Sequence, residues 1–159
     1  MSFDPASFAA QIVLWVLDRV NLRPRPALLL TCMTEKKGES PTFGHIVVTN
    51  TREGTRAENV RLSLVSLDSA PAEIGRFPKT LDFHGSAAIR HGEHPFYTFV
   101  IFYDHNEPLV CPNTPGASHK ITRDGYYSAV VRTVSDNAKN AECNISFGYD
   151  NGQLYFRKA

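Results

Sequence analysis

The stretch that decides the fold is DGYYSAVVRTV at residues 124–134, a polar turn followed by an alternating run. Gly125 adopts positive φ at little cost, so a turn is predicted just before the run. Side chains of a strand face opposite sides in alternation, which places Tyr127, Ala129 and Val131 on one face. The stretch therefore predicts a central antiparallel strand whose inner face lies in a crowded core.

Tyr127 stands at the start of this strand, two residues before the predicted core position Ala129. Its hydroxyl could bond back to the preceding loop, as in the tyrosine corner of immunoglobulin-type sandwiches. The alternative is an ordinary aromatic residue on a strand. The two interpretations differ in one hydrogen bond to the backbone of the turn.

Short alternating or apolar segments, separated by turn residues, surround this strand. They cover residues 27–33, 45–49, 59–64, 80–83, 87–90, 96–103, 144–149 and 153–157. The first, 27–33, is predicted to be a buried strand, and simple alternation along 96–103 gives two faces that are both apolar. The alternation slips in phase at Val65, which predicts a bulge. Residues 104–120 contain three prolines and are expected to form a crossover or an exposed loop. Alternating βα units are absent, so the pattern predicts a mainly β protein in which about eight strands form an antiparallel sandwich.

One α-helix is predicted at residues 1–22, ahead of a sandwich domain at residues 27–159. Asp4 is a good N-cap, and Pro5 suits the first helical position. From Phe8 to Leu17 only Gln11 is polar, so the helix has no polar face. Such a helix is expected to be buried on more than one side.

Three partners for this helix stay open: the sandwich itself, its copy in an oligomer, and a membrane surface. The expected contact residues are Phe8, Ile12, Trp15 and Val16. The uncharged residues 5–17 span roughly 20 Å as a helix, short of the ~30 Å core of a bilayer. Asp4 precedes the apolar run and no cleavage site follows, which argues against a signal peptide. A cytoplasmic protein is expected, at the inner face of the membrane if the helix meets a bilayer.

Composition excludes several classes of function. The 159 residues, 42% hydrophobic and 21% charged, are typical of one globular domain. The net charge of +1 offers no electrostatic attraction for nucleic acid. No cofactor motif or catalytic signature is present, so neither a cofactor nor enzymatic activity is expected.

The three cysteines, Cys32, Cys111 and Cys143, lack the spacing of a metal site. Cys32 lies near the first strand and Cys143 near a late one, so these two could be neighbours. Reduced thiols are expected, because nothing signals secretion.

The only local histidine cluster offers candidate metal ligands. His84, His91 and His94, with Glu93, could surround a zinc-like ion from a loop. The alternative is a solvated turn between two strands, since Gly92 and Pro95 preclude a helix.

A family resemblance rests on VVTNT at residues 47–51, followed by AENVRLSL at residues 57–64. Ile89 with Gly92, and G-x-Y-x-A-x-V at residues 125–131, continue it. The pattern resembles bacterial immunoglobulin-like and adhesion-type sandwich domains. That resemblance implies a non-catalytic protein-interaction or assembly module, self-associating or binding a protein partner, often next to a membrane anchor. The alternative is a small-ligand or metal-binding sandwich domain that uses the histidine loop.

Overall fold

The computed structural model describes residues 5–19, 24–36, 38–69, 74–81, 87–103, 108–110, 118–122, 125–150 and 153–159; within the helix, side chains are described for residues 9–16. These residues contain one helix and twelve strands. In chain order they are α1 (Pro5–Arg19), β1 (Leu28–Lys36), β2 (Thr42–Asn50), β3 (Arg56–Ala57), β4 (Arg61–Leu67), β5 (Lys79–Leu81), β6 (Ile89–Arg90), β7 (Phe96–Phe102), β8 (Leu109–Val110), β9 (His119–Lys120), β10 (Tyr126–Val134), β11 (Glu142–Asp150) and β12 (Gln153–Lys158).

The strands form two five-stranded sheets and one small two-stranded sheet. The first sheet has the order β1-β2-β7-β8-β9, the second has the order β12-β11-β10-β4-β5, and β3 pairs with β6. Neighbouring strands in all three sheets are antiparallel. The predicted mainly β protein with antiparallel sheets and one short helix is confirmed.

Strand β10 lies at the centre of the second sheet, as the alternation predicts. Tyr127, Ala129 and Val131 are buried, whereas Tyr126 is 68% exposed. The Tyr127 hydroxyl donates a hydrogen bond to the Thr122 carbonyl oxygen at 3.1 Å, so the predicted bond to the turn is confirmed. The predicted role of Gly125 is corrected: it does not have a positive φ, but a Cβ there would collide with the Tyr127 ring.

Two bulges decide which side chains face the core. In β4, Val65 is the extra residue, because Leu64 pairs with Val131 and Ser66 with Val130, which confirms the predicted phase slip. In β7 the extra residue is Phe99, between positions that pair with consecutive residues of β2. The sequence missed this second bulge and predicted simple alternation along β7. The buried side chains are instead Tyr97, Phe99, Val100 and Phe102.

Residues from both large sheets contribute to one apolar core. The Phe99 ring of β7 meets the Phe147 ring of β11 edge-on, with centroids 5.4 Å apart. Gly44 of β2 leaves room for Phe156 of β12, which a Cβ at that position would strike. The two sheets therefore contact each other through aromatic rings.

Two predictions for the first sheet are wrong. Residues 27–33 were expected to form a buried strand, but Leu30 is the one buried side chain that β1 contributes, because β1 is an edge strand. Residues 104–120 were expected to lie outside the sheets, yet β8 and β9 extend the first sheet beyond β7. Residues 104–107 and 111–117 lie outside the described part of the chain.

A buried asparagine fastens the start of the β-rich region. Asn50 has no exposed surface, and its Oδ1 accepts hydrogen bonds from the backbone N–H groups of Ala27 and Arg52. Its Nδ2 donates to the carbonyl oxygens of Thr55 and Ile89, at 3.0 and 3.4 Å. One side chain thus joins the entry to β1, the loop after β2 and strand β6.

Candidate functional site

Helix α1 presents a continuous apolar surface to solvent. Five consecutive large side chains, from Ile12 to Val16, are each between 43% and 57% exposed. All eight described side chains of the helix, residues 9–16, are exposed. The described helix covers Pro5–Arg19 of the predicted 1–22, and its residues 9–16 are not buried against the β-rich region; burial against a second copy or a membrane stays a prediction.

The sequence explains this exposure. A helix that packs on its own domain has an apolar stripe and a polar face, whereas this helix is apolar on every side. Of the candidate contact residues, Ile12, Trp15 and Val16 all lie on the exposed surface. The side chain of Phe8 lies outside the described residues. Contiguous apolar surface in water is typical of an interaction site.

The described part of α1, Pro5–Arg19, has 15 residues. Within the described residues, no helix has the length and apolar character needed to cross a membrane.

A second surface is a groove on the second sheet, with a volume of about 580 Å³. Its walls come from β10, β11, β12 and the residue after β4. The lining residues are Asp68, Tyr126, Tyr127, Ser128, Ser146, Leu154, Tyr155 and Arg157.

Aromatic rings and one guanidinium give this groove its character. The rings of Tyr126 and Tyr155 lie 6.2 Å apart, and Cζ of Arg157 lies 5.6 Å from the centroid of the Tyr155 ring. The Ser128 hydroxyl donates to a carboxylate oxygen of Asp68, the residue that follows the neighbouring strand β4. Flat rings beside a cation and a carboxylate suit an extended peptide segment, which needs both stacking and hydrogen bonds. The sequence missed this groove because its residues converge from four elements, and only the outward phase of Tyr126 and Ser128 indicates it.

A buried histidine on the first sheet was also missed. His45 is 3% exposed; its Nε2 lies 3.1 Å from an oxygen of Glu35, and its Nδ1 lies 3.2 Å from the Thr98 hydroxyl. The rings of Phe43 and Phe96 flank the imidazole. Both ring nitrogens have protein partners, so this network joins β1, β2 and β7.

The candidate metal ligands are only partly described. His84 lies outside the described residues, His91 is exposed, and Nδ1 of His94 lies 3.0 Å from the Thr49 hydroxyl. His91 shares a small cleft with Arg56 and Arg90, whose charges oppose a bound cation. Among the described residues, no three His, Cys, Asp or Glu side chains are grouped to hold a metal ion. The site of three histidines stays a prediction.

Two cysteines meet where the two large sheets approach each other. Both Cys32 of β1 and Cys143 of β11 are free thiols whose side chains lie close enough for a hydrogen bond between them, and Sγ of Cys143 donates to the Asn144 carbonyl oxygen at 3.4 Å. The prediction that they are neighbours is confirmed. The hydrogen bond from Cys32 and the charge of Lys158 lower the pKa of Cys143 to about 7, whereas the same hydrogen bond and burial raise the pKa of Cys32.

Comparison with known proteins gives one partial similarity. Residues 95–157, less than half of the chain, match the model of the Rot1 family, described as a fungal chaperone for protein folding within the endoplasmic reticulum. The matched segment runs from the entry of β7 to β12, and it contains every lining residue of the groove except Asp68. No curated protein and no solved structure matches the chain.

Proposed function

We propose that this chain is a non-catalytic protein-interaction module that binds another polypeptide through helix α1. The observation that carries the proposal is the run of exposed apolar side chains from Ile12 to Val16. Burying such surface against a partner is favourable by about 25 cal/mol per Å² of apolar area. A partner chain with exposed apolar groups would gain from the same contact.

The partial family similarity supports a chaperone-like form of this interaction. A chaperone for protein folding must hold polypeptides whose apolar side chains are not yet buried. The exposed helix offers them an apolar surface, and the groove in the matched segment offers a second contact for an extended stretch. The match also favours the endoplasmic reticulum over the cytoplasm expected from the sequence.

We further propose that the two large sheets pack face to face as an immunoglobulin-like sandwich. Support comes from the strand order, since β1-β2-β7 corresponds to the A-B-E strands of that fold and β4-β10-β11 to its C-F-G strands. The hydrogen bond from Tyr127 to Thr122 corresponds to its tyrosine corner. The resemblance to bacterial domains of this type concerns the architecture only. An architecture of this kind is compatible with the proposed non-catalytic role.

Substitutions that keep the helix test the binding proposal. In the full chain, Ile12→Gln, Trp15→Gln and Val16→Gln together replace apolar surface with a residue that favours helices. The assay is suppression of aggregation of a chemically denatured client protein, measured by light scattering. Wild type is expected to slow aggregation at a one-to-one ratio, and the triple variant is expected to lose at least half of that effect.

The matched control is Ala9→Gln with Ala10→Gln, which changes two exposed helix positions without removing large apolar groups. This control should behave as wild type. Equal suppression by the triple variant and the control would contradict binding through the helix. Two further experiments test the other partners. A wild-type dimer, seen by size exclusion with light scattering, that disappears only in the triple variant would assign the helix to self-association. Vesicle binding, seen by flotation, that disappears only in the triple variant would assign the helix to a membrane.

A further inference from the structure

We propose that Cys32 and Cys143 form a redox site, in which a low-molecular-weight disulfide such as oxidised glutathione converts the hydrogen-bonded thiol pair into a disulfide that joins the two large sheets. This proposal is independent of the binding role of α1.

The geometry of the strands brings the two sulfurs together. Cys32 lies on β1, at the edge of the first sheet, and Cys143 lies on β11 of the second sheet. Strand β1 lies beside both β11 and β12, so the two sheets approach each other at this edge. The thiols are already in hydrogen-bonding contact across this gap. A bond between them would cross-link two sheets that, in the part of the chain that the structure describes, share no paired strands.

The two thiols differ in access. Cys143 is 3% exposed, whereas Cys32 is half-buried and therefore within reach of a small reagent. The hydrogen bond lets the pair carry one negative charge and share the remaining proton, and Lys158 stabilises that charge. The lowered pKa belongs to Cys143, yet we assign the first attack to Cys32, because a proton moves along the hydrogen bond more easily than glutathione reaches a buried sulfur.

The reaction proceeds in two balanced exchanges. First, the proton of Cys32 passes to Cys143, and the Cys32 sulfur attacks one sulfur of oxidised glutathione, which breaks its S–S bond and releases one glutathione thiolate. Next, Cys143 loses its proton to solvent, and its thiolate attacks the sulfur of Cys32 in the mixed disulfide. The second glutathione thiolate leaves, so two protein thiols are oxidised to one disulfide while one glutathione disulfide is reduced to two thiols.

The test uses the full chain with Cys111→Ser, so that only two thiols remain. The protein is equilibrated with mixtures of reduced and oxidised glutathione, free thiols are alkylated, and the products are resolved by mass spectrometry. The expected product is one intramolecular disulfide with no glutathione adduct. It closes a loop of more than 100 residues and should raise Tm by about 10 °C, reversibly on addition of dithiothreitol.

Single variants separate this site from general thiol oxidation. Adding Cys143→Ser to that background should trap the glutathione adduct on Cys32, whereas adding Cys32→Ser should leave Cys143 mostly unmodified. A folded two-thiol protein that stays reduced in oxidised glutathione would overturn the proposal. If Cys111→Ser does not fold, peptide mapping of oxidised wild type without reduction is the alternative test. A cross-linked peptide that contains Cys32 and Cys143 supports the proposed site. A cross-link that involves Cys111, or no cross-link at all, overturns the proposal.

Discussion

Helix α1 and strand β10 are both rich in apolar residues, but their side chains end in opposite environments. Along β10, Tyr127, Ala129 and Val131 are buried while Tyr126 faces solvent. Along α1, every described side chain is exposed. The difference follows from periodicity, because alternation assigns each apolar residue to one face, whereas a uniformly apolar helix has no preferred face.

A periodic pattern therefore predicts which side chains are buried. An apolar run without a period predicts only that its surface needs an apolar contact, and it does not say with what. The core of the β-rich region is completed within the chain by rings from both large sheets. For α1, we propose that a partner outside the chain supplies this contact, and the proposed binding role rests on that idea. If this contrast is right, the stability of the β-rich region is independent of the helix.

The largest expected effect comes from the aromatic core. Phe147 has no exposed surface, and its ring lies 5.4 Å from the rings of both Phe99 and Tyr127. Phe147→Ala should lower the free energy of unfolding by about 3–5 kcal/mol, because it removes a buried ring and leaves a cavity. Urea unfolding followed by circular dichroism measures the loss. The paired variant Val13→Ala, at a position of α1 that is 56% exposed, should change that free energy by less than about 0.5 kcal/mol. A comparable loss from Val13→Ala would show that α1 stabilises the β-rich region, and the contrast between α1 and β10 would then fail.

The next largest loss of stability is expected at Asn50, whose side chain bonds the entry to the first strand. Asn50→Ala should cost about 2 kcal/mol, because the buried Ile89 carbonyl and the part-buried N–H groups of Ala27 and Arg52 lose their partner. Thermal unfolding of the variant and wild type measures the difference. Thr51→Ala is the control, since that hydroxyl makes one exposed hydrogen bond to Ala27. If the two variants proved equally stable, Asn50 would not be the residue that fastens this end of the first sheet.

A smaller effect tests the corner of β10 with two neighbouring tyrosines. Tyr127→Phe should cost about 1 kcal/mol, because it removes the hydroxyl that donates to the Thr122 carbonyl and keeps the ring. Tyr126→Phe should have no measurable effect on stability, because Tyr126 faces solvent. Equilibrium unfolding in urea compares the two variants. Equal stabilities would remove the energetic basis for treating this bond as a structural corner.

Much of the β-rich region was predictable from local patterns. The alternation of β10, the phase slip at Val65 and the segment 59–64 all describe residues whose faces are set by their nearest neighbours in sequence. The bulge at Phe99 was not predictable, because both faces of β7 are apolar and a shift of phase leaves the pattern unchanged. The strands β8 and β9 were missed because each has two residues, too few to show any period.

The functional surfaces were less predictable for a different reason. The groove near Tyr126 and the network around His45 each combine side chains from several strands, and Asp68 and Thr98 join them from distant parts of the chain, so no local pattern contains either site. The apolar helix was visible, but its exposure depends on what the rest of the chain leaves uncovered. The pairing of Cys32 with Cys143 was anticipated because both positions followed from the order of the strands.

The smallest expected effect concerns the proton shared by the two thiols. The pKa of Cys143 is lowered from its ordinary value of 9.0 to about 7, and that of Cys32 is raised, chiefly by the hydrogen bond between them. In the reduced Cys111→Ser protein, absorbance at the thiolate band should therefore report one thiolate per chain with a midpoint near pH 7.

Between about pH 7 and the ordinary value of 9.0 the unfolded chain binds more protons than the folded chain, so this pair makes stability rise with pH. That contribution is lost as the pH falls through about 7, and above the ordinary value of 9.0 the raised pKa of Cys32 reverses the slope. Adding Cys32→Ser replaces the thiol beside Cys143 with a hydroxyl of different size and acidity, so the midpoint should move. A midpoint that stays near 7 in that variant would assign the lowered pKa to the charge of Lys158 rather than to the contact between the sheets.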